Sequence, residues 1–211
     1  VPHAENTETP KNDLALMALI PGTVLSGVFT RNAFSAAPVK IARNRMQAIA
    51  QSSHQQPSYL LINSGNANAG TGVAGYAAAE QSCDALAAVA GCEASQVLPF
   101  STGVIGQLLP ADCINTAAPT LWGQLSADGW SQAANAIMTT DTVPKGFSRT
   151  VNVGGTTITL SGICKGAGMI RPDMATMLAY VATDAAIAQS DLDNLLQDAV
   201  QCSFNRITVD G

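Results

Sequence analysis

Charge is scarce in this sequence. Lys, Arg, Asp and Glu make up 12% of the 211 residues, about half of the usual ~25%. What charge there is leans acidic, 10 basic against 15 acidic side chains, for a formal net charge of −5. A nucleic-acid binder needs a basic face to displace counterions, so that class is excluded. Histidine is nearly absent, with only His3 and His54, and a Ser-His-Asp or Cys-His catalytic device has little to draw on. The five cysteines, Cys83, Cys92, Cys113, Cys164 and Cys202, form no Cys-x-x-Cys pair. Neither a zinc site nor a secreted disulfide framework fits them, and they read as small core residues. No run comes near the ~18 apolar residues that a membrane span needs; the longest, Leu14 to Ile20, stops at Pro21-Gly22. The polar stretch Val1–Asp13 lacks the basic-then-apolar pattern of a signal peptide. A soluble, cytoplasmic protein with no metal is expected.

Hydrophobic residues reach 47%, which excludes global disorder. A chain of this length buries roughly two-thirds of its unfolded surface. So thinly charged a surface predicts that part of it is covered by a partner chain or a further segment.

The elements read as a mixture of α and β in one domain, residues 1–211. Strands are expected at Val24–Thr30, Tyr59–Asn63, Val97–Phe100 and Met177–Ala182. Gly154-Gly155 between Thr150–Val153 and Thr156–Leu160 predicts a hairpin with a two-residue turn. Helices are expected over Tyr76–Ala90, with Gly91 as its stop, and over Ala111–Leu125 and Ser131–Met138, parted by Gly129. A last helix is expected to be capped by Ser190, with Leu192, Leu195, Leu196, Ala199 and Val200 on one face. Asn205–Gly211 reads as a strand entering a turn, as if the chain stopped inside a larger fold.

Three glycine-rich loops follow three of these strands: Asn63–Gly72, Ser101–Gly106 and Lys165–Pro172. Loops at strand ends are common ligand-contact positions, but no P-loop or Gly-x-Gly-x-x-Gly pattern supports nucleotide binding. The Asn-Ala-Asn loop alone also reads as plain turns. In Lys165-Gly-Ala-Gly-Met-Ile-Arg-Pro-Asp-Met-Ala-Thr-Met-Leu-Ala179 a flexible loop delivers the hydroxyl of Thr176 to the mouth of an apolar strand, with Lys165 upstream on the same loop. A threonine hydroxyl is a poor nucleophile unless a base takes its proton. With no usable histidine, one base left is a freed α-amine on Thr176 itself, which requires cleavage of the Ala175–Thr176 bond. Composition and spacing alone favour the simpler reading, that Thr176 begins a strand.

Six motifs in order change that balance. Gly27-Val-Phe-Thr-Arg-Asn-Ala-Phe…Ala-Ala-Pro38, Asn63-Ser-Gly-Asn-Ala-Asn-Ala, Ser101-Thr-Gly-Val-Ile-Gly, Met138-Thr-Thr-Asp-Thr142, Lys165-Gly-Ala-Gly-Met-Ile…Met-Ala-Thr-Met-Leu and Phe204-Asn-Arg-Ile-Thr-Val-Asp-Gly211 together resemble the ornithine acetyltransferase family, also called glutamate N-acetyltransferase. Each is weak alone; in sequence they cover nearly the whole chain. The resemblance implies the layered α/β sandwich of that self-cleaving family, with 1–175 as an α chain and 176–211 as the start of a β chain. It implies an enzyme of arginine biosynthesis that moves acetyl from N2-acetylornithine to glutamate through an acetyl-threonine at Thr176, without a cofactor. Some members also accept acetyl-CoA. By the same carry-over Thr102 and Gly103 form the oxyanion hole, and Thr139, Lys165 and Thr176 contact substrate, Lys165 through a substrate carboxylate. The implied partners are small-molecule substrates and the rest of the β chain, in a heterotetramer of two α and two β chains.

The sequence departs from the family pattern at Ala69-Gly70-Thr71-Gly72, where a cysteine usually precedes the threonine, and at Asp173, where asparagine is usual. Family chains are nearly twice as long, and residues that complete the substrate site lie beyond Gly211. Two other readings stand beside this one: a self-processing amidohydrolase or aminopeptidase that gives the acyl group to water, and a non-catalytic piece that only binds or assembles.

Overall fold

The computed structural model describes residues 12–51, 57–173 and 176–210. His3, His54 and Ala175 lie outside them. Two three-stranded sheets form the centre. In the first, β1 (Leu14–Ala18) runs antiparallel to β2 (Tyr59–Asn63), which runs parallel to β3 (Val97–Ser101). In the second, β4 (Lys145–Val153), β5 (Thr156–Lys165) and β6 (Leu178–Thr183) form an antiparallel meander.

Period-two alternation explains the layers. Leu14 and Leu16 of β1, Leu61 of β2 and Val97 of β3 point to one face. There they meet Cys83, Leu86 and Ala87 of α2 (Gly72–Ala90) and Ile114 of α3 (Ala111–Gly123). Ala15, Leu60, Ile62 and Leu98 point to the other, onto Ile163 and Tyr180 of the second sheet and Ala134, Ala136 and Ile137 in and just after α4 (Trp130–Ala136). Ala42 and Met46 of α1 (Ala37–Gln51) close the same core. Each fully buried Leu or Ile contributes about 1.5–3 kcal/mol, so β2, buried on both faces, anchors the molecule.

The hairpin forms as expected, with Gly154 and Gly155 both at positive φ (58° and 87°), the combination its two-residue turn requires. Gly91 stops α2 at φ 68°. Four expectations need correction. Val24–Thr30 is not a strand: side chains take its carbonyls, Arg43 donating to Thr30 O at 2.7 Å and Gln189 to Leu25 O at 3.1 Å, so no ladder forms. Ser190 does not cap α5 (Gln189–Cys202); the N-cap is Ala188, and Asp193 accepts instead from Ser26 and Gln189. The final segment is a 3-10 turn at Phe204–Arg206 followed by a single bridge, Val209 to Ile170. Cys113 and Cys202 are exposed rather than in the core. The thin charge is visible on the outer face of the second sheet, where Phe147, Val151, Val153 and Val181 are all exposed. Among the described residues no helix is long and apolar enough to cross a membrane.

Candidate active site

All three glycine loops converge at one end of the sheets. The first two are laced by backbone bonds: Thr102 N–H to Asn63 O (3.0 Å), Val104 N–H to Gly65 O (3.0 Å), Ala67 N–H to Val104 O (2.9 Å) and Gly106 N–H to Ala69 O (2.8 Å). Side chains add to the lacing. Asn63 Nδ2 donates to Asn66 O at 2.8 Å, and fully buried Asn68 donates to Gly75 O at 2.8 Å. These contacts are what the asparagines of the motif are for: they satisfy loop backbone that no ladder reaches.

Gly103 stands where only glycine fits. Its φ is 132°, and a Cβ there would lie 2.2 Å from the carbonyl carbon of Gly65. The Gly103→Ala variant is therefore expected to force the two loops apart. Backbone strain alone is worth about 1–3 kcal/mol, so thermal unfolding is expected to fall by several degrees; an unchanged midpoint would show that the loops yield freely.

Lys165 is the last residue of β5, not part of the loop after it, and it is only 3% exposed. It is thus no solvated loop lysine. Its Nζ donates to Thr102 Oγ1 at 3.1 Å. An ammonium has no lone pair to accept with, so Thr102 is the acceptor here and its own hydrogen is left to point elsewhere. Lys165 and Thr102, two residues that sequence reasoning named separately, are in direct contact.

Thr176 is exposed and lies two residues before β6, whose first residue, Leu178, pairs with Lys165. Its φ is 63°. The left-handed region is unfavourable for a β-branched residue, and holding it there costs on the order of 1–3 kcal/mol. The loop ahead of it is clamped by the last motif: Ile170 and Val209 exchange backbone bonds of 2.9 and 2.8 Å, and Asp173 N–H donates to Asn205 Oδ1 at 3.1 Å. Met177 reaches toward Gly166, beside Lys165.

Thr139 is half-buried in the turn after α4 and donates its N–H to Asp141 Oδ2 at 3.4 Å. Asp141 was not singled out from the sequence: it lies in a turn, where a lysine four residues on is no pairing signal. Its side chain is wholly buried. It pairs with Lys145, and Oδ1 accepts from Gly166 N–H at 2.8 Å. Burial pushes this carboxyl up, but the donors from Lys145, Gly166 and Thr139 outweigh it and hold the group below the usual carboxylate range. A folded-state pKa below the unfolded one gives stability that is complete above the unfolded value and lost as pH falls through the folded one. The stability gap between the wild type and Asp141→Asn is expected to be flat near neutrality and to narrow below about pH 4. Urea titrations across that range test it; a gap that closes between pH 5 and 7 would mean that burial wins.

The fold is the layered sheet-and-helix sandwich of the ornithine acetyltransferases as a class. The chain belongs to the ArgJ family, whose model matches residues 2–211. It is 52% identical over 201 residues to the arginine biosynthesis bifunctional protein ArgJ of Pseudomonas syringae pv. tomato and 53% identical over 201 residues to that of Methylococcus capsulatus. Each match covers 95% of this chain and 48% of the relative. The chain thus spans about half the length of the curated relatives it matches. Among solved structures it is similar to the arginine biosynthesis bifunctional protein ArgJ of Bacillus halodurans, with a TM-score of 0.67 and 31% identity over 81% of this chain and 85% of that one. It is also similar to the ornithine acetyltransferase of Mycobacterium tuberculosis solved with ornithine, with a TM-score of 0.64 and 32% identity over 79% and 84%.

Proposed function

We propose that this chain carries the nucleophile and oxyanion side of an N-acetyltransferase that moves acetyl from N2-acetylornithine to glutamate in arginine biosynthesis. The observation that carries the reading is the Lys165–Thr102 contact. It ties the loop after β3 to the last residue of β5, the strand position that pairs with the entry to β6, just past Thr176.

In the proposed scheme the Ala175–Thr176 bond is cut first. The Thr176 hydroxyl attacks the Ala175 carbonyl, the peptide becomes an ester, and water hydrolyses it to a carboxylate on Ala175 and a free α-amine on Thr176. The strain at φ 63° supports this step, because that torsion ceases to exist when the bond breaks. The α-amine then takes the proton as the hydroxyl attacks the acetyl carbonyl of acetylornithine. The tetrahedral oxyanion is received by the Thr102 hydroxyl and the Gly103 N–H; the protonated α-amine returns its proton to the departing nitrogen, and ornithine leaves as the acetyl-threonine ester forms. The α-amine of glutamate attacks the acetyl ester and carries the acetyl group away. Thr139 and Lys165 complete the substrate contacts, Lys165 holding the carboxylate that N2-acetylornithine and glutamate share. The scheme asks for no cofactor; acetyl-CoA enters as an alternative acetyl donor.

The names of the relatives support the pathway. Their lengths support the cut: the solved chains are matched over most of their length and the curated relatives over about half. Chains of that size are what a precursor divided in two leaves. Two α and two β chains, in the cytoplasm, complete the proposal.

Intact-mass spectrometry of the full-length protein tests it. Two fragments meeting between Ala175 and Thr176 are expected, with one acetyl group added to the Thr176 fragment after exposure to N-acetylornithine. Hydrolysis of acetylornithine without glutamate, as fast as transfer, would return the reading to an amidohydrolase.

A further inference from the structure

We propose that Asp141 is a positioning residue for acyl transfer: through Gly166 it holds Lys165 against Thr102, and so aims the oxyanion-hole hydroxyl. The proposal rests on the acetyl-transfer reading above.

Asp141 lies between α4 and β4, and its carboxylate reaches three of the segments around the site. Oδ1 accepts from Gly166 N–H at 2.8 Å and from Lys145, and Oδ2 from Thr139 N–H at 3.4 Å. Gly166 directly follows Lys165. Its φ is 149°, a conformation side chains rarely adopt, and β5 ends one residue earlier at Lys165. The ladder therefore does not fix Gly166. The charge-assisted bond to the carboxylate does, and such bonds are roughly twice as strong as neutral ones. Lys165 itself pairs with Leu178 in the ladder, and fixing Gly166 holds the other side of the backbone from which Lys165 reaches Thr102 Oγ1. The ammonium occupies an acceptor position of that oxygen, so the Thr102 hydrogen stays available to an oxyanion. Lys145, with its side chain 40% exposed, supplies the counter-charge that lets a wholly buried carboxylate remain ionised.

Asp141→Asn in the full-length enzyme keeps the size of the side chain and removes the charge. Single-turnover acylation by N-acetylornithine is the measurement, since burst amplitude counts competent enzyme and the rate constant reports positioning. The acylation rate is expected to fall ten- to a hundredfold at full amplitude, with KM changed little. In a Thr102→Ala background the same substitution is expected to cost nothing further, because residues acting through one group are not additive. An unchanged rate, an additive loss in that background, or a loss of amplitude instead of rate overturns the proposal while leaving acetyl transfer intact. A wild-type enzyme that transfers no acetyl group overturns the functional reading and this proposal together.

Discussion

Thr176→Ala is expected to give a single uncut chain with no acetyl transfer. The substitution removes the hydroxyl that both steps use, and without the first step the α-amine that would activate it is never freed. Loss of a covalent nucleophile costs on the order of a millionfold in well-studied hydrolases, so residual turnover should be undetectable. Folding should be preserved. Thr176 is exposed, and alanine at φ 63° lacks the branched Cβ that makes threonine unfavourable there. Thr176→Ser, which keeps the hydroxyl, is expected to cut and to transfer more slowly. A gel showing normal processing of the alanine variant would remove the mechanism.

Thr102→Ala is expected to slow acyl transfer by 10²–10³, about 2.7–4 kcal/mol of barrier, the loss typical of one oxyanion-hole donor. KM should move little, because the oxyanion exists only in the transition state. The side chain is 6% exposed and accepts from Lys165, so the variant also withdraws an acceptor from a buried ammonium. Thr102→Ser is the control for the hydroxyl: it keeps both the acceptor and the donor and lacks only the methyl. Full activity in Thr102→Ser with a large loss in Thr102→Ala is the expected pattern. Turnover unchanged in both would count against the oxyanion assignment.

Local physics made some elements legible and hid others. Tyr59–Asn63, Val97–Phe100, the Gly154-Gly155 hairpin and the Gly91 stop could be read because pattern and turn chemistry agree there with tertiary structure. Val24–Thr30 has the same β-branched look, but arginine and glutamine side chains compete for its carbonyls, and no sequence pattern announces contacts 13 and 164 residues away. Helix α1 went unread although Pro38 in its first turn marks a helix start; its short apolar stripe is interrupted by Lys40, Arg43 and Arg45. In the candidate site, the loop around Thr176 and Lys165 drew attention by its residue types, while Thr102 and Gly103 came only with the family resemblance. Their assembly was not legible, because it depends on three loops meeting. Asp141 was hidden for the same reason: a carboxylate in a turn looks solvated until Gly166, 25 residues on, is found bonded to it.

The β5–β6 ladder runs from Leu160↔Thr183 to Lys165↔Leu178, and the Ile170–Val209 bridge lies beyond it. Both join residues from opposite sides of the proposed scission. Once the bond is severed, hydrogen bonds that had closed a short loop within one polymer hold a dimer of fragments instead. Resistance to unfolding then acquires a steeper dependence on protein concentration than the intact precursor has. Dilution in denaturant should lower the melting point of the processed form more than that of an uncleavable variant.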